Sequence, residues 1–195
     1  MNGFTHSAFA PVVLGFFGLG TGYLIYGPAE LFHYPRRGDP GIDRSMGIWG
    51  IFLPGLCQLV TGIILFVGMT WFQVFSDPAL YMAALAFSAY GIHWFAIGWN
   101  RYQNNDPRPQ AGMSVAFMII SALGAVVFFK AGGWPVGVLF IGLFCVYVGE
   151  FLVSIKTVIG NPVLGLAHLA TGAWLMYLTF STTLNIASGF KLPGG

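Results

Sequence analysis

Ala84-Leu-Ala-Phe-Ser-Ala-Tyr-Gly-Ile-His-Trp-Phe95 lies inside an apolar run, about residues 79–99, that follows the breaker Asp77-Pro78. Roughly 20 mostly apolar residues suffice for a helix to cross the hydrocarbon core of a bilayer, so the segment reads as a membrane span. On a helix Tyr90 and Trp94 stand four residues apart and Tyr90 and His93 three, so all three project from one side. Polar tips at that depth are costly unless they meet a partner helix or a wet cavity. Two readings follow. Either this helix lines a path or pocket, or its rings fill a bundle core with their tips hydrogen-bonded across helices.

The rest of the chain supports a membrane setting. It has 195 residues, 56% hydrophobic and 7% charged, against about 25% charged in an ordinary soluble domain. So few charges cannot cover a water-facing surface. The formal net charge of +2 comes without a basic stripe, so no nucleic-acid partner is expected. Cys57 and Cys145 lack metal-ligand spacing and read as packing residues. No signal peptide is visible at the N-terminus.

Six stretches are long and apolar enough to span, about 8–27, 46–69, 79–99, 112–130, 135–156 and 162–184. The expected fold class is all-α, a polytopic six-helix bundle in one transmembrane domain over residues 1–195. The first span is rich in glycine. Gly15, Gly18 and Gly22, with Gly62 in the second span, are read as helix-packing positions, Gly18 and Gly22 having the spacing that lets backbones touch in lipid. Pro28 to Ser45 carries Arg36, Arg37 and Arg44 among the acids Glu30, Asp39 and Asp43, and its turn residues predict an exposed loop or a surface-lying segment.

Pro54-Gly55 predicts a kink or unwinding point in the second span. Gln58, one turn on, either bridges helices or faces a polar path. Asn100-Arg101-Tyr102 reads as an interfacial anchor. The fourth span, with only serines as polar groups, is expected to be scaffold. Glu150 is the one acid placed within a span, either a proton site or an interfacial group paired with a cation such as Lys156. Asn161-Pro162 has the form of a helix cap followed by proline at the first position.

No Walker loop, dinucleotide fingerprint or metal-ligand pattern is present, so neither an enzyme nor a metal site is expected. His93 and His168 on different spans are the residue type that clamps a haem, but nothing beyond residue type supports that; no cofactor is expected. Six Lys and Arg residues fall in the loops after spans one, three and five, against Lys130 and Lys191 on the other face. The positive-inside rule then places both termini outside.

Three segments resemble the acetate/succinate transporter family, the YaaH-type proteins. Pro11-Val-Val-Leu-Gly-Phe-Phe-Gly-Leu-Gly20 is similar to that family's opening Asn-Pro-Ala-Pro-Leu-Gly-Leu and the Gly-Phe-Gly after it. Met46 to Gly62 is similar to its second helix, with a glycine-rich start and Gln-x-x-x-Gly. Ala86-Phe-Ser-Ala-Tyr-Gly-Ile-His-Trp94 resembles Ala-Phe-x-Ser-Tyr-Gly-x-x-Trp. Together they cover about the first half of the chain. The resemblance implies a hexamer of six-helix protomers, each with a narrow path for small monocarboxylates. It also implies a hydrophobic gate in which the third-helix tyrosine is Tyr90 and a first-helix aromatic is replaced by Leu19.

The chain also departs from the family pattern. Ala10 stands where the signature has asparagine, and Leu65 where many members carry an acid. Ala131 to Glu150 looks like the family's final helix although another span follows. Asn161-Pro-Val-Leu-Gly-Leu166 echoes the opening signature, by chance or through an internal repeat. The family keeps its N-terminus inside, against the arginine count.

The function expected is a channel or transporter in the plasma (inner) membrane for a small organic anion or neutral weak acid, most of all a short monocarboxylate such as acetate. Leu19, Gln58, Tyr90, His93 and Trp94 form the expected substrate path, with His93 able to make transport pH-sensitive. The rival expectation is a non-transporting membrane subunit that anchors or stabilises a larger complex.

Overall fold

A computed structural model describes residues 11–194; Ala10 and the start of the first predicted span lie outside them. Six helices are long and apolar enough to cross a membrane: α1 Val12–Leu31, α2 Pro40–Thr70, α3 Ala79–Gln103, α4 Gln110–Lys130, α5 Trp134–Ser154 and α6 Gly160–Ser188. Each packs on its neighbours in sequence, and α6 packs on α1, so they form a closed ring. The seam between α3 and α4 is the sparsest.

Local chemistry explains where the helices differ from the sequence reading. α2 begins at Pro40 rather than near 46, because Asp39 Oδ1 accepts from the backbone N–H of Gly41 at 2.8 Å and Ile42 at 3.3 Å, with proline at the first position. Pro28 does not end α1, which runs one turn further and carries Glu30 inward, 3% exposed. The predicted exposed loop is therefore confined to residues 32–39, and Glu30 becomes a buried acid that the sequence reading had placed outside the spans. Asn161 is not a cap. α6 starts before it, and its Oδ1 accepts from Arg37 Nη1 at 2.7 Å. The segment after α6 is fixed to it, since Asn185 Nδ2 donates to the Leu192 carbonyl and Asn185 Oδ1 accepts from the Leu192 N–H.

Pro54 lies in one wide turn of α2, Ile51–Leu56, that absorbs the missing N–H by bonding across five residues. This bulge faces α1 where α1 has no side chains. A Cβ at Gly22 would lie 2.7 Å from Pro54 Cγ, and one at Gly18 would lie 2.6 Å from the Leu53 carbonyl oxygen. At Gly62 a Cβ would fall 2.6 Å from the Ser88 backbone nitrogen of α3. Close backbone approach is what holds helices together where lipid removes the hydrophobic drive.

The distribution of polarity is the reverse of a soluble bundle. Ile63, Ile92, Ile119, Leu123 and Phe180 face outward, while Glu30, Gln58, Thr61, His93, Glu150 and His168 are buried. α4 is the outermost helix, with 22% of its apolar window buried. Lipid imposes this arrangement, because it satisfies no hydrogen bond and tolerates any apolar surface.

Overpacking a close contact costs about 1–3 kcal/mol. Gly22→Val is therefore expected to lower the thermal unfolding midpoint and folded yield in detergent, whereas Gly112→Ala, with open space around it, leaves both unchanged.

Candidate functional site: two axial cavities and an aromatic septum

Two cavities lie inside the ring and share no lining residue. One, of ≈ 390 Å³, is polar and includes Tyr26, Glu30, Arg37, Asp43, Arg101, Glu150 and His168. It lies toward the α1–α2 and α3–α4 connections, the face where the sequence concentrates its basic residues. The other, of ≈ 340 Å³, is mostly apolar and includes Phe16, Leu19, Gln58, Phe87, Tyr90, Leu143 and Leu175.

The same spacing separates the two on four helices. Leu19 and Tyr26 on α1, Tyr90 and Ile97 on α3, Leu143 and Glu150 on α5, and Leu175 and His168 on α6 are each seven residues apart. At 1.5 Å per residue the intervening layer is about 10 Å thick. It is filled by rings. Tyr23 stacks beside His168 with centroids 4.4 Å apart, and Trp94 meets Tyr26 edge-on at 5.0 Å. On the other side Tyr147 lies 5.4 Å from Tyr90 and 5.1 Å from Phe117, and His93 lies 4.8 Å from Phe117.

Of the residues assigned to a path from sequence, Leu19, Gln58 and Tyr90 line the apolar cavity, while His93 and Trp94 lie in the septum and line neither. Tyr90 OH is 2.9 Å from Ser121 Oγ, and Ser121 donates its single proton to the Phe117 carbonyl at 2.8 Å. The Tyr90 proton is thus committed to Ser121, and its oxygen is left as an acceptor. This also brings α4, read as scaffold, into the site through Ser121. Gln58 is 1% exposed, and its Oε1 has no partner among the described residues.

At the polar cavity, Glu150 does not pair with Lys156, which is exposed. It turns inward, its Oε2 3.7 Å from His93 Nε2, and the Tyr147 hydroxyl lies 3.3 Å from His93 Nδ1. His168 Nδ1 lies 2.6 Å from Glu30 Oε2. Each of the two histidines that could have clamped a haem therefore faces its own carboxylate. Arg101, expected at the interface as an anchor, turns inward. Its guanidinium carbon sits 4.6 Å above the Tyr26 ring, and Nε donates to Asp43 Oδ1 at 3.3 Å. Burial, with Arg101 nearby, pulls the Arg37 guanidinium below its ordinary pKa; it still donates to Asn161.

Glu30 is the buried acid of this cavity that the sequence reading missed. Its signal was weak, because a carboxylate two residues after a proline reads as loop unless its partner, 138 residues away, is known.

The closed ring of six apolar helices and its lipid-facing exterior define a polytopic membrane protein. In structure the chain is similar to the bacterial acetate channel SatP, with a TM-score of 0.77 over 97% of this chain and 100% of that one, at 17% sequence identity. No family model and no curated protein sequence matches it. The likeness fixes the fold and covers the second half, where the sequence motifs gave no consistent alignment. A match ending at α5 would leave α6 outside, more than 97% coverage allows.

Tyr26 donates to the Met46 carbonyl at 2.8 Å in a buried contact between α1 and α2. Losing one hydrogen bond costs about 0.5–1.5 kcal/mol. Tyr26→Phe is expected to lower the unfolding midpoint accordingly, while keeping the ring beneath Arg101.

Proposed function

We propose that the protein is a membrane channel or carrier for small organic solutes, with a short monocarboxylic acid such as acetate as the favoured class. The observation that carries this reading is the Gln58 amide, buried in an apolar axial cavity with its Oε1 unpartnered. A buried polar atom without a partner costs about 1–3 kcal/mol, so a purely structural bundle gains nothing by keeping it. A primary amide presents one donor and one acceptor side by side. An undissociated carboxyl group presents the complementary pair, its C=O for the amide N–H and its O–H for Oε1. The Tyr90 oxygen, its own proton given to Ser121, is a second acceptor suited to the same O–H.

The fold likeness to an acetate channel agrees with this solute class. In this reading Leu19, Gln58 and Tyr90 form the apolar side of the path, and Trp94 and His93 belong to the barrier that must open. The protomers assemble as a homo-oligomer, each with its own path, and sit in the plasma (inner) membrane.

The test is uptake of labelled acetate into liposomes holding the purified protein, with empty vesicles subtracted at each pH. Losing one hydrogen bond of about 1–1.5 kcal/mol corresponds to about a tenfold loss of flux. Gln58→Leu is expected to show that loss while the unfolding midpoint stays level or rises, because an unpartnered acceptor has been removed. Tyr90→Ala should also change flux with the assembly intact. Unchanged flux in both variants, or none in a folded wild type, would turn the reading toward a non-transporting subunit.

A further inference from the structure

The polar cavity holds an acid–imidazole pair that the transport reading leaves unused. A carboxylate only accepts, so His168 Nδ1 carries the hydrogen and donates it to Glu30 at 2.6 Å. That fixes the tautomer and leaves Nε2 with the ring's lone pair. Nε2 has no partner among the described residues, although His168 is 1% exposed. Tyr23 holds one face of the ring, and Glu30 holds the Nδ1 edge. Arg101, on the same cavity, has Nη2 buried and equally unpartnered, and a guanidinium nitrogen can only donate. One idle acceptor and one idle donor on a single cavity suit the O–H and C=O of a carboxylic acid.

The apolar cavity adds a second constraint. A bare carboxylate there loses its hydration and finds few donors, so the species that fits is the neutral acid. A simple carboxyl titrates near pH ~4 and is almost wholly ionised in neutral water. A proton must therefore be gained on one side of the septum and lost on the other.

We propose that His168, positioned by Glu30, is the proton-exchange residue for a short carboxylic acid in the polar cavity; this rests on the transport reading above. The acid's O–H bond breaks and an N–H bond forms at Nε2. The acid becomes a carboxylate facing Arg101, and the imidazole becomes an imidazolium facing Glu30. Water entering the cavity then takes the Nε2 proton and restores the ring. In the opposite direction the imidazolium returns its proton to an arriving anion.

The groups around His168 come from every neighbouring element: Glu30 and Tyr23 from α1, Arg37 from the loop after it, Asp43 from α2, Arg101 from α3 and Glu150 from α5. Two guanidiniums against three carboxylates leave the lining with one formal negative charge, which an imidazolium at His168 cancels.

The test loads liposomes of the full-length protein with a pH dye and records acetate entry and lumenal pH together, less empty vesicles. In wild type we expect protein-dependent entry that acidifies the lumen and rises as external pH falls from about 8 to 5. His168→Gln should lower entry at least about tenfold and flatten that pH profile. Glu30→Gln keeps an oxygen to accept from Nδ1, so it retains the fold if His168→Gln does not. Its entry rate and pH profile should both differ from those of wild type. Wild-type entry without acidification would mean that the anion crosses, overturning this inference and leaving transport intact. Rates and profiles unchanged in both variants would overturn it too. No protein-dependent entry in wild type would remove both readings.

Discussion

The packing of α6 against α1 closes the ring of helices, and the hydrogen bond from His168 to Glu30 lies buried in that seam. Both side chains are ionisable, and both are buried where lipid could satisfy neither. They are stable there only by facing one another inside a bundle. The same constraint sorts the remaining residues. Apolar side chains can face lipid at no cost, so the polar ones turn inward, and among the described residues Gln58, Ser88, His93, Arg101 and His168 each keep a buried atom without a partner.

Between the cavities the septum has a uniform thickness because it is built by helix geometry. A step of seven residues on each of four helices leads from the lining of one cavity to that of the other, and large rings occupy that interval. Tyr23, Tyr26 and Trp94 interlock beside His168. Tyr90, Tyr147 and Phe117 interlock beside His93. On the transport reading, a path along this axis requires some of these rings to move. The sparse α3–α4 seam, next to Tyr90, His93 and Phe117, is where such a change meets least resistance. Rings also exclude hydrated ions more effectively than they exclude a small neutral acid, which sheds little water to pass.

The glycines and the bulge at Pro54 act on the same problem from outside the axis. Gly18 and Gly22 let α1 approach the wide turn of α2, so the proline ring and the Leu53 carbonyl fit against bare backbone. This brings Leu19, between the two glycines, to the same cavity as Gln58, which follows the bulge. Without that approach the two helices would stand further apart and the apolar cavity would lose its walls.

Composition and hydropathy were sufficient for the six spans and the all-α class, because the energy of placing helices in lipid is summed over residues local in sequence. The third-helix cluster and the Pro54 break were legible for the same reason: spacing of three or four residues sets a helix face, and a proline removes a hydrogen bond wherever it falls. What tertiary structure decided was the pairing of polar groups. Glu30 reads as loop beside Pro28, and only α6, arriving from far along the chain, supplies the histidine that makes it a buried acid. Ser121 reads as scaffold, and only α3 gives it the Tyr90 hydroxyl. Glu150 could as well have met Lys156 until the inward turn of α5 gave it His93. The sequence by itself determined which segments cross the membrane; which polar groups meet there was decided by ring closure, since a side chain's partner in lipid is set by packing between helices and leaves no local signature.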